Sequence, residues 1–160
     1  MSIDIFKILE EIKILPKWDE QICLQSVKDN NDPFLGISFV KNIEKKGYKE
    51  SDFTYPLFDM PYTNSIIKEH NLYRVRLMNL KSKTCYSYHQ DYGKRFHIPI
   101  ITNDNCFFVI DDKIKRYPAD GNCYIIDTTK KHTAVNASRE DRIHLVGNKI
   151  SIGDVIEIDT

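Results

Sequence analysis

The second half of the sequence is a succession of short apolar and aromatic runs, and this pattern restricts the possible fold more than any other feature. The runs start at residue 72, are rich in β-branched and aromatic residues, and are separated by turn-forming residues with no helical run between them. Strands at such spacing are typical of an antiparallel barrel or sandwich. The runs are YRVRL, CYSYH, RFHIPI, CFFVI, CYIID, HTAVN, RIHLV and VIEI.

The first 71 residues have a different character. Isoleucine and leucine at three- and four-residue spacing predict a helix over 3–15, which Pro16 closes. A short strand is expected over 21–25, and a second helix over 62–70 with Thr63 as its cap. We therefore expect one mainly β (α+β) domain over 1–160, in which a mostly helical layer, 1–71, packs on a barrel, 72–160.

Composition excludes several classes of partner. The chain carries 23 basic and 23 acidic residues, so a broad polyphosphate-binding face is not expected, and nucleic acid is not a predicted partner. No apolar run approaches the length of a membrane span, about 18 residues, and the N-terminus is unlike a secretory signal. The four cysteines show no CxxC spacing, as in reduced thiols. These features favour a cytoplasmic protein; they do not predict its oligomeric state.

The stretch CYSYHQD contains the first candidate site residues, His89 and Asp91. If this stretch is a strand, the two side chains lie on one face about 6–7 Å apart, close enough to ligate one ion. Taken alone, the pair is equally typical of a surface histidine hydrogen-bonded to an aspartate.

Other strands repeat this combination of polar residues on one face. Arg95 shares a face with His97, and Arg142 shares one with His144; His132 opens a strand whose same face carries Ala134 and Asn136. Unpaired charges are expensive inside a dry barrel, so their repetition favours a site in the barrel's mouth. The histidines also fit satisfied core residues, and the arginines fit salt bridges at the rim.

Two histidines and one carboxylate, with two ligands on one strand and the third on a distant one, match the facial triad that binds iron(II). Such a triad leaves coordination positions open for a co-substrate and oxygen. Arg142 follows His132 by ten residues, on what we expect to be the adjacent strand of a hairpin through ASRED. A guanidinium there would bind the far carboxylate of an anionic co-substrate.

In order along the chain, the motifs RVRL, HQD, RFHIP followed by Thr-Asn, and H-x3-N-x5-R-x-HLV resemble the aspartyl/asparaginyl β-hydroxylase family over residues 72–147. The resemblance implies a cupin-like double-stranded β-helix (jelly roll). It implies iron ligation and catalysis by His89, Asp91 and His132, with 2-oxoglutarate and O2 as co-substrates.

For the co-substrate, the resemblance implies that Arg142 binds the distal carboxylate of 2-oxoglutarate, with Arg95 and His97 beside it. The implied reaction hydroxylates a C–H bond and releases succinate and CO2. Its substrate would be a free amino acid or a side chain of a peptide or protein. Two alternatives stay open: a cupin-type metalloenzyme that does not use 2-oxoglutarate, and a non-catalytic cupin-like binding module. Some family members have HxG in place of HxD; here Asp91 completes the triad.

Overall fold

Two antiparallel sheets form the body of the protein in a computed structural model, which describes residues 2–149. The predicted VIEI strand lies outside the described residues. The strands of the larger sheet are β1 (Gln21–Cys23), β4 (Leu72–Leu80), β6 (Arg95–Ile101), β9 (Tyr124–Ile126) and β11 (Arg142–Lys149). Those of the smaller sheet are β5 (Thr84–Cys85), β7 (Cys106–Ile110), β8 (Lys113–Lys115) and β10 (His132–Asn136). A third sheet pairs β2 (Gln25–Ser26) with β3 (Tyr55–Pro56).

From β4 onward the chain passes repeatedly between the two main sheets. The larger sheet has the order β1-β4-β11-β6-β9, and the smaller has the order β5-β10-β7-β8. Strands that follow one another in sequence thus often lie in opposite sheets, as in a jelly roll. The expected fold class, a mainly β chain with a double-stranded β-helix, is confirmed.

The helices of the N-terminal segment are α1 (Ile5–Ile12), α2 (Val40–Lys45), a 3₁₀ turn (Glu50–Asp52) and α3 (Pro61–Glu69). The first is shorter than the expected 3–15, and the Asp4 side chain caps it by accepting from the Phe6 and Lys7 amides. No described helix has the length and apolar character needed to cross a bilayer.

The expected cap of α3 was wrong. Thr63 lies inside the helix, because Pro61 takes its first position. Proline suits that position because it has no backbone N–H that would be left without an acceptor there. The Glu11 carboxylate of α1 accepts instead from the Tyr62 and Thr63 amides, at 2.8 and 2.7 Å. An anion at a helix N-terminus is stabilising, so this contact joins the two helices as well as capping one.

Apolar side chains of α1 and α3 pack with the outward face of the larger sheet to form the main core. Burying each such side chain contributes about 1.5–3 kcal/mol. Fully or nearly fully buried members are Ile8, Ile22, Leu24, Met60, Val75, Leu77, Ile98 and Leu145. The space between the two main sheets is different, because much of its lining is polar or charged.

Candidate metal centre

The first candidate ligand, His132, begins β10 and is 4% exposed. His89 lies opposite it: the His89 amide donates to the His132 carbonyl at 2.9 Å, and the His132 amide donates to the His89 carbonyl at 2.8 Å. This reciprocal pair sets the imidazole rings side by side, with centroids 4.4 Å apart. The expected strand through CYSYHQD is not formed beyond Thr84–Cys85, so backbone pairing with β10 positions His89.

Asp91 is held by the segment that precedes β10. Its amide donates to the Thr128 carbonyl at 2.8 Å, which turns its carboxylate toward both histidines. Asp91 Oδ1 lies 3.7 Å from His89 Nε2, and Asp91 Oδ2 lies 3.6 Å from His132 Nε2. The three predicted ligands therefore converge.

Both imidazoles have their Nδ1 atoms occupied by the main chain. His89 Nδ1 donates to the Ser87 carbonyl at 2.6 Å, and His132 Nδ1 donates to the Lys130 carbonyl at 2.8 Å. A bond of this kind fixes the tautomer in which Nε2 carries a lone pair, as metal ligation requires. Burial lowers the pKa of His132 and so favours its neutral form, although the bond to the Lys130 carbonyl acts in the opposite direction.

These donors fit a divalent transition metal. One ligand atom from each of the three residues lies within 4.8 Å of the others. When metal–ligand bonds are about 2.1 Å long, two ligand atoms in adjacent coordination positions lie about 3 Å from each other. Imidazole suits Zn, Cu, Fe and Ni, and a two-histidine, one-carboxylate set with open positions is characteristic of non-haem iron(II).

The triad opens into a cavity of about 80 Å³ between the two sheets. A roomier groove, about 490 Å³, lies between α3 and the β2–β3 pair, but Lys68 is its only ionisable lining residue. We take the smaller cavity as the candidate site because the ligand-capable side chains converge there. Besides the triad, its charged and polar lining comprises Arg76, Tyr86, Arg95, His97, Thr128 and Arg142.

Arg142 reaches this cavity from the sheet opposite to β10. The expected hairpin through ASRED was wrong, since β10 pairs with β5 and β7, whereas β11 pairs with β4 and β6. The Arg142 side chain is 3% exposed and forms no hydrogen bond or ion pair within residues 2–149. Its guanidinium carbon lies 5.5 Å from the centroid of the Phe108 ring.

The other two predicted co-substrate residues also line the cavity, but both have protein partners. Arg95 donates to Glu50, with Nη1–Oε2 at 3.1 Å, and to Asn148 Oδ1. His97 shares a hydrogen bond with His144 between their Nδ1 atoms, at 3.0 Å. Burial, followed by the charges of nearby arginines, lowers the pKa of both histidines well below the ordinary value, so the pair is neutral at pH 7.

Two further residues contribute to the cavity and were absent from the predicted set. Arg76 lines it from β4, and the YRVRL motif placed it on the face of a strand, a signal that could have identified it. Glu50 supplies the carboxylate that Arg95 binds, and nothing in the stretch KESDF distinguishes it from a surface acid.

A jelly-roll barrel of this kind is cupin-like, and the two histidines and one aspartate that converge on its cavity could hold a metal ion. The family model for aspartyl/asparaginyl beta-hydroxylase matches residues 47–149. The chain belongs to that family, as the motifs indicated. The match begins before residue 72 and so includes Glu50.

Several solved structures match part of this chain at low sequence identity. A cupin domain from Bordetella pertussis matches 50% of this chain and 82% of its own, with 11% identity and a TM-score of 0.42. A predicted oxalate decarboxylase from Thermotoga maritima matches 52% of this chain and 70% of its own, with 15% identity and a TM-score of 0.40.

A Photorhabdus luminescens protein matches 46% of this chain, with 19% identity and a TM-score of 0.39, and the match spans 58% of that protein, less than two thirds of its length. Similarity at this level does not bear on the reaction. No curated protein matches the chain in sequence.

Proposed function

We propose that the protein is an iron(II)- and 2-oxoglutarate-dependent dioxygenase that hydroxylates an amino acid or an amino-acid side chain of a peptide or protein. The observation that carries this proposal is the unpaired guanidinium of Arg142 in the same cavity as the triad. A buried cation without a partner is costly, so a bound anion is the expected complement. A metal centre alone would not require that cation.

In this proposal His89, Asp91 and His132 hold the ion through Nε2, a carboxylate oxygen and Nε2. Bound iron(II) would supply the oxidising chemistry with O2 that couples decarboxylation of 2-oxoglutarate to hydroxylation of the substrate. The remaining protein groups bind and orient. Arg142 binds the distal carboxylate in a bidentate manner, and the ring of Phe108 screens that ion pair from water.

His97 and Arg95 would lie beside the near end of the co-substrate. For His97 to donate from Nε2 to a carboxylate, its Nδ1 must accept from His144 Nδ1, whose distance of 3.0 Å suits that bond. Arg95 already has Glu50 and Asn148 as partners, so its contribution is a positive potential at the site rather than a free pair of donors.

The test is anaerobic addition of Fe(II) and then 2-oxoglutarate, followed by visible spectroscopy. We expect the weak charge-transfer band of the chelated complex in the wild type. Arg142→Gln should weaken the 2-oxoglutarate affinity by about tenfold or more, because it loses a charge-assisted pair. Arg116→Gln is the matched control, since Arg116 also lies over a phenylalanine ring (Phe107, 5.4 Å) but is exposed.

Two results would count against the proposal. A wild-type protein that binds iron but gives no band with 2-oxoglutarate would favour a cupin-type metalloenzyme with other chemistry. Full 2-oxoglutarate affinity in Arg142→Gln would remove the role assigned to that residue. Succinate release stimulated by an amino acid or peptide then identifies turnover, and its absence with every candidate substrate would favour a binding module.

A further inference from the structure

Asn136 is a buried polar residue to which neither the metal centre nor the co-substrate site gives a role. It ends β10 and is 1% exposed. Its Nδ2 donates to the Leu80 carbonyl at 2.9 Å and to the Glu140 carbonyl at 2.7 Å. Its Oδ1 accepts from the Ser138 amide at 2.9 Å and from the Ser138 hydroxyl at 2.7 Å. Because the side chain uses both donor protons and its acceptor oxygen, an apolar residue of similar size could not replace these contacts.

The two carbonyls that accept from Asn136 lie next to Arg142, the proposed anchor of 2-oxoglutarate. Leu80 faces Arg142 across the β4–β11 pairing. Glu140 precedes Arg142 by two residues in the chain. A single side-chain amide therefore ties the end of β10 to the strand beside Arg142 and to the segment that leads into it.

The segment that leads into Arg142 belongs to no strand. Residues 137–141 cross from the smaller sheet to the larger one. The outer side of this segment is held by Asp141, whose carboxylate accepts from the Ser82 amide at 2.9 Å. Its buried side is held by the Asn136 amide, so this side chain replaces the ladder of hydrogen bonds that a strand would have.

The Arg142 side chain does not fix its own direction. Its Nε is buried and has no hydrogen-bond partner among residues 2–149, and the nearby ring of Phe108 offers no directional bond. A bidentate pair between a guanidinium and a carboxylate requires a defined relative geometry, and binding groups have to be held to within about 0.5 Å. The position of the main chain at Arg142 therefore decides how well its guanidinium can meet an anion.

We propose that Asn136 is a positioning residue for the co-substrate: its amide holds the main chain at Arg142 so that the guanidinium meets the distal carboxylate of 2-oxoglutarate. This inference rests on the proposed function, which makes Arg142 the anchor. His132 lies four residues before Asn136 on the same strand, but its main-chain bonds with His89, at 2.9 and 2.8 Å, hold it separately. Loss of the Asn136 amide should thus weaken binding of the co-substrate and spare the metal.

The test measures two affinities separately, by anaerobic titration with Fe(II) and by calorimetric titration of the zinc-loaded protein with 2-oxoglutarate. Asn136→Ala should weaken 2-oxoglutarate binding by about threefold or more, and by no more than Arg142→Gln, because it acts through that residue. Its affinity for the metal should stay within about twofold of wild type. Asn103→Ala is the matched control, since the Asn103 amide donates to Ser138 Oγ at 3.1 Å and to neither carbonyl beside Arg142. It should bind 2-oxoglutarate as wild type does.

Asn136→Asp is a milder variant that carries the test if the alanine variant does not fold. It keeps the shape and the acceptor oxygen of the side chain. Burial favours its protonated form, which can donate to only one of the two carbonyls. We expect it to weaken 2-oxoglutarate binding by about threefold as well, and to keep the metal affinity of wild type.

A double-mutant cycle separates positioning from a purely structural role. In the Arg142→Gln background, either Asn136 variant should change the 2-oxoglutarate affinity by less than about twofold, because the group that Asn136 positions is gone. An effect as large as in the wild-type background would overturn the proposal. So would a variant that loses resistance to urea yet binds 2-oxoglutarate as wild type does, or one that weakens the metal and the co-substrate equally. If wild type itself does not bind 2-oxoglutarate, the proposed function fails, and this inference fails with it.

Discussion

Replacing Glu50 by glutamine removes a carboxylate that joins the N-terminal segment to two buried arginines of the barrel. The side chain is 15% exposed, and its oxygens lie 3.0 Å from Arg74 Nη1 and 3.1 Å from Arg95 Nη1. The Asn148 side-chain amide also donates to it. Glutamine keeps the size of the side chain and one acceptor, so the substitution tests the charge.

The expected loss in the free energy of unfolding follows from the two arginines, which stay buried after the carboxylate is removed. Removing one partner of a buried ion pair costs about 3–5 kcal/mol, because the other charge stays buried without compensation. Since Glu50 retains some exposure and glutamine still accepts one hydrogen bond, we expect the lower end, about 3 kcal/mol. For a chain of this size that corresponds to a fall in Tm of roughly 6–12 °C.

The assay is urea unfolding across a range of pH. Burial on its own would raise the pKa of Glu50, but the charges of Arg95 and Arg74 outweigh it and hold that pKa below the ordinary value. A carboxylate with a lowered pKa stabilises the fold fully above the unfolded-state pKa of about 4.3 and loses that contribution as the pH falls through the folded-state value. The difference between wild type and Glu50→Gln should thus be complete at pH 7 and shrink below about pH 4.

Glu69→Gln is the control, since Glu69 is exposed on α3 and should change the free energy of unfolding by less than about 0.5 kcal/mol. A Glu50→Gln protein as stable as wild type at pH 7 would refute the reasoning. A difference that stays constant down to pH 3 would refute its electrostatic part.

Three other substitutions test the site, a turn and the core. Asp91→Ala should lower the affinity for Fe(II), measured by anaerobic metal titration, by at least the tenfold that loss of an outer partner alone costs; unchanged affinity would count against Asp91 as a ligand. Gly121→Ala should destabilise the protein by about 1–2 kcal/mol or more, because an L residue is strained there; φ is +83° and the new Cβ would lie 2.6 Å from the Ile3 carbonyl oxygen. Gly93→Ala, where a Cβ meets nothing within 4 Å, should be close to neutral in the same urea titration. Ile98→Ala, at a fully buried position, should cost about 2–5 kcal/mol in that assay; a loss as small as that of Ile114→Ala, 57% exposed, would be evidence against the packing described.

The strands that build the barrel were predictable because their residues have a local preference for extended backbone. The runs RFHIPI, CFFVI, HTAVN and RIHLV correspond to β6, β7, β10 and β11. Their alternation also placed Arg142 and His132 on faces that turn inward. Alternation of apolar and polar residues predicts the direction of side chains correctly wherever the segment is long enough to form a regular strand.

The convergence of His89, Asp91 and His132 was predicted, but the structural reason given for it was only partly right. The spacing of His89 and Asp91 was interpreted as that of one strand, but the chain there forms a loop whose amides bond to His132 and Thr128. Tyr86, from the same stretch, lines the cavity. Contacts of this kind join residues about 40 positions apart, and no local pattern encodes them.

The ion pairs and caps supplied by the N-terminal segment were missed for the same reason. In the sequence, Glu50 and Glu11 are indistinguishable from surface acids. Both have their partners on elements that are distant along the chain. The sequence also did not reveal that β10 and β11 lie in different sheets, because the short ASRED connection is equally typical of a hairpin. Such connections are decided by how the sheets pack, not by the turn alone.

The carbonyls that hold His89 Nδ1 and His132 Nδ1 belong in each case to the residue two positions earlier in the chain. The orientation of both imidazoles is therefore a property of the main-chain path and does not depend on which side chains Ser87 and Lys130 carry. Substitutions around the ligands can thus accumulate during evolution without turning the rings away from the metal position. Residues around the two imidazoles are thus free to change while the orientation of the rings stays the same.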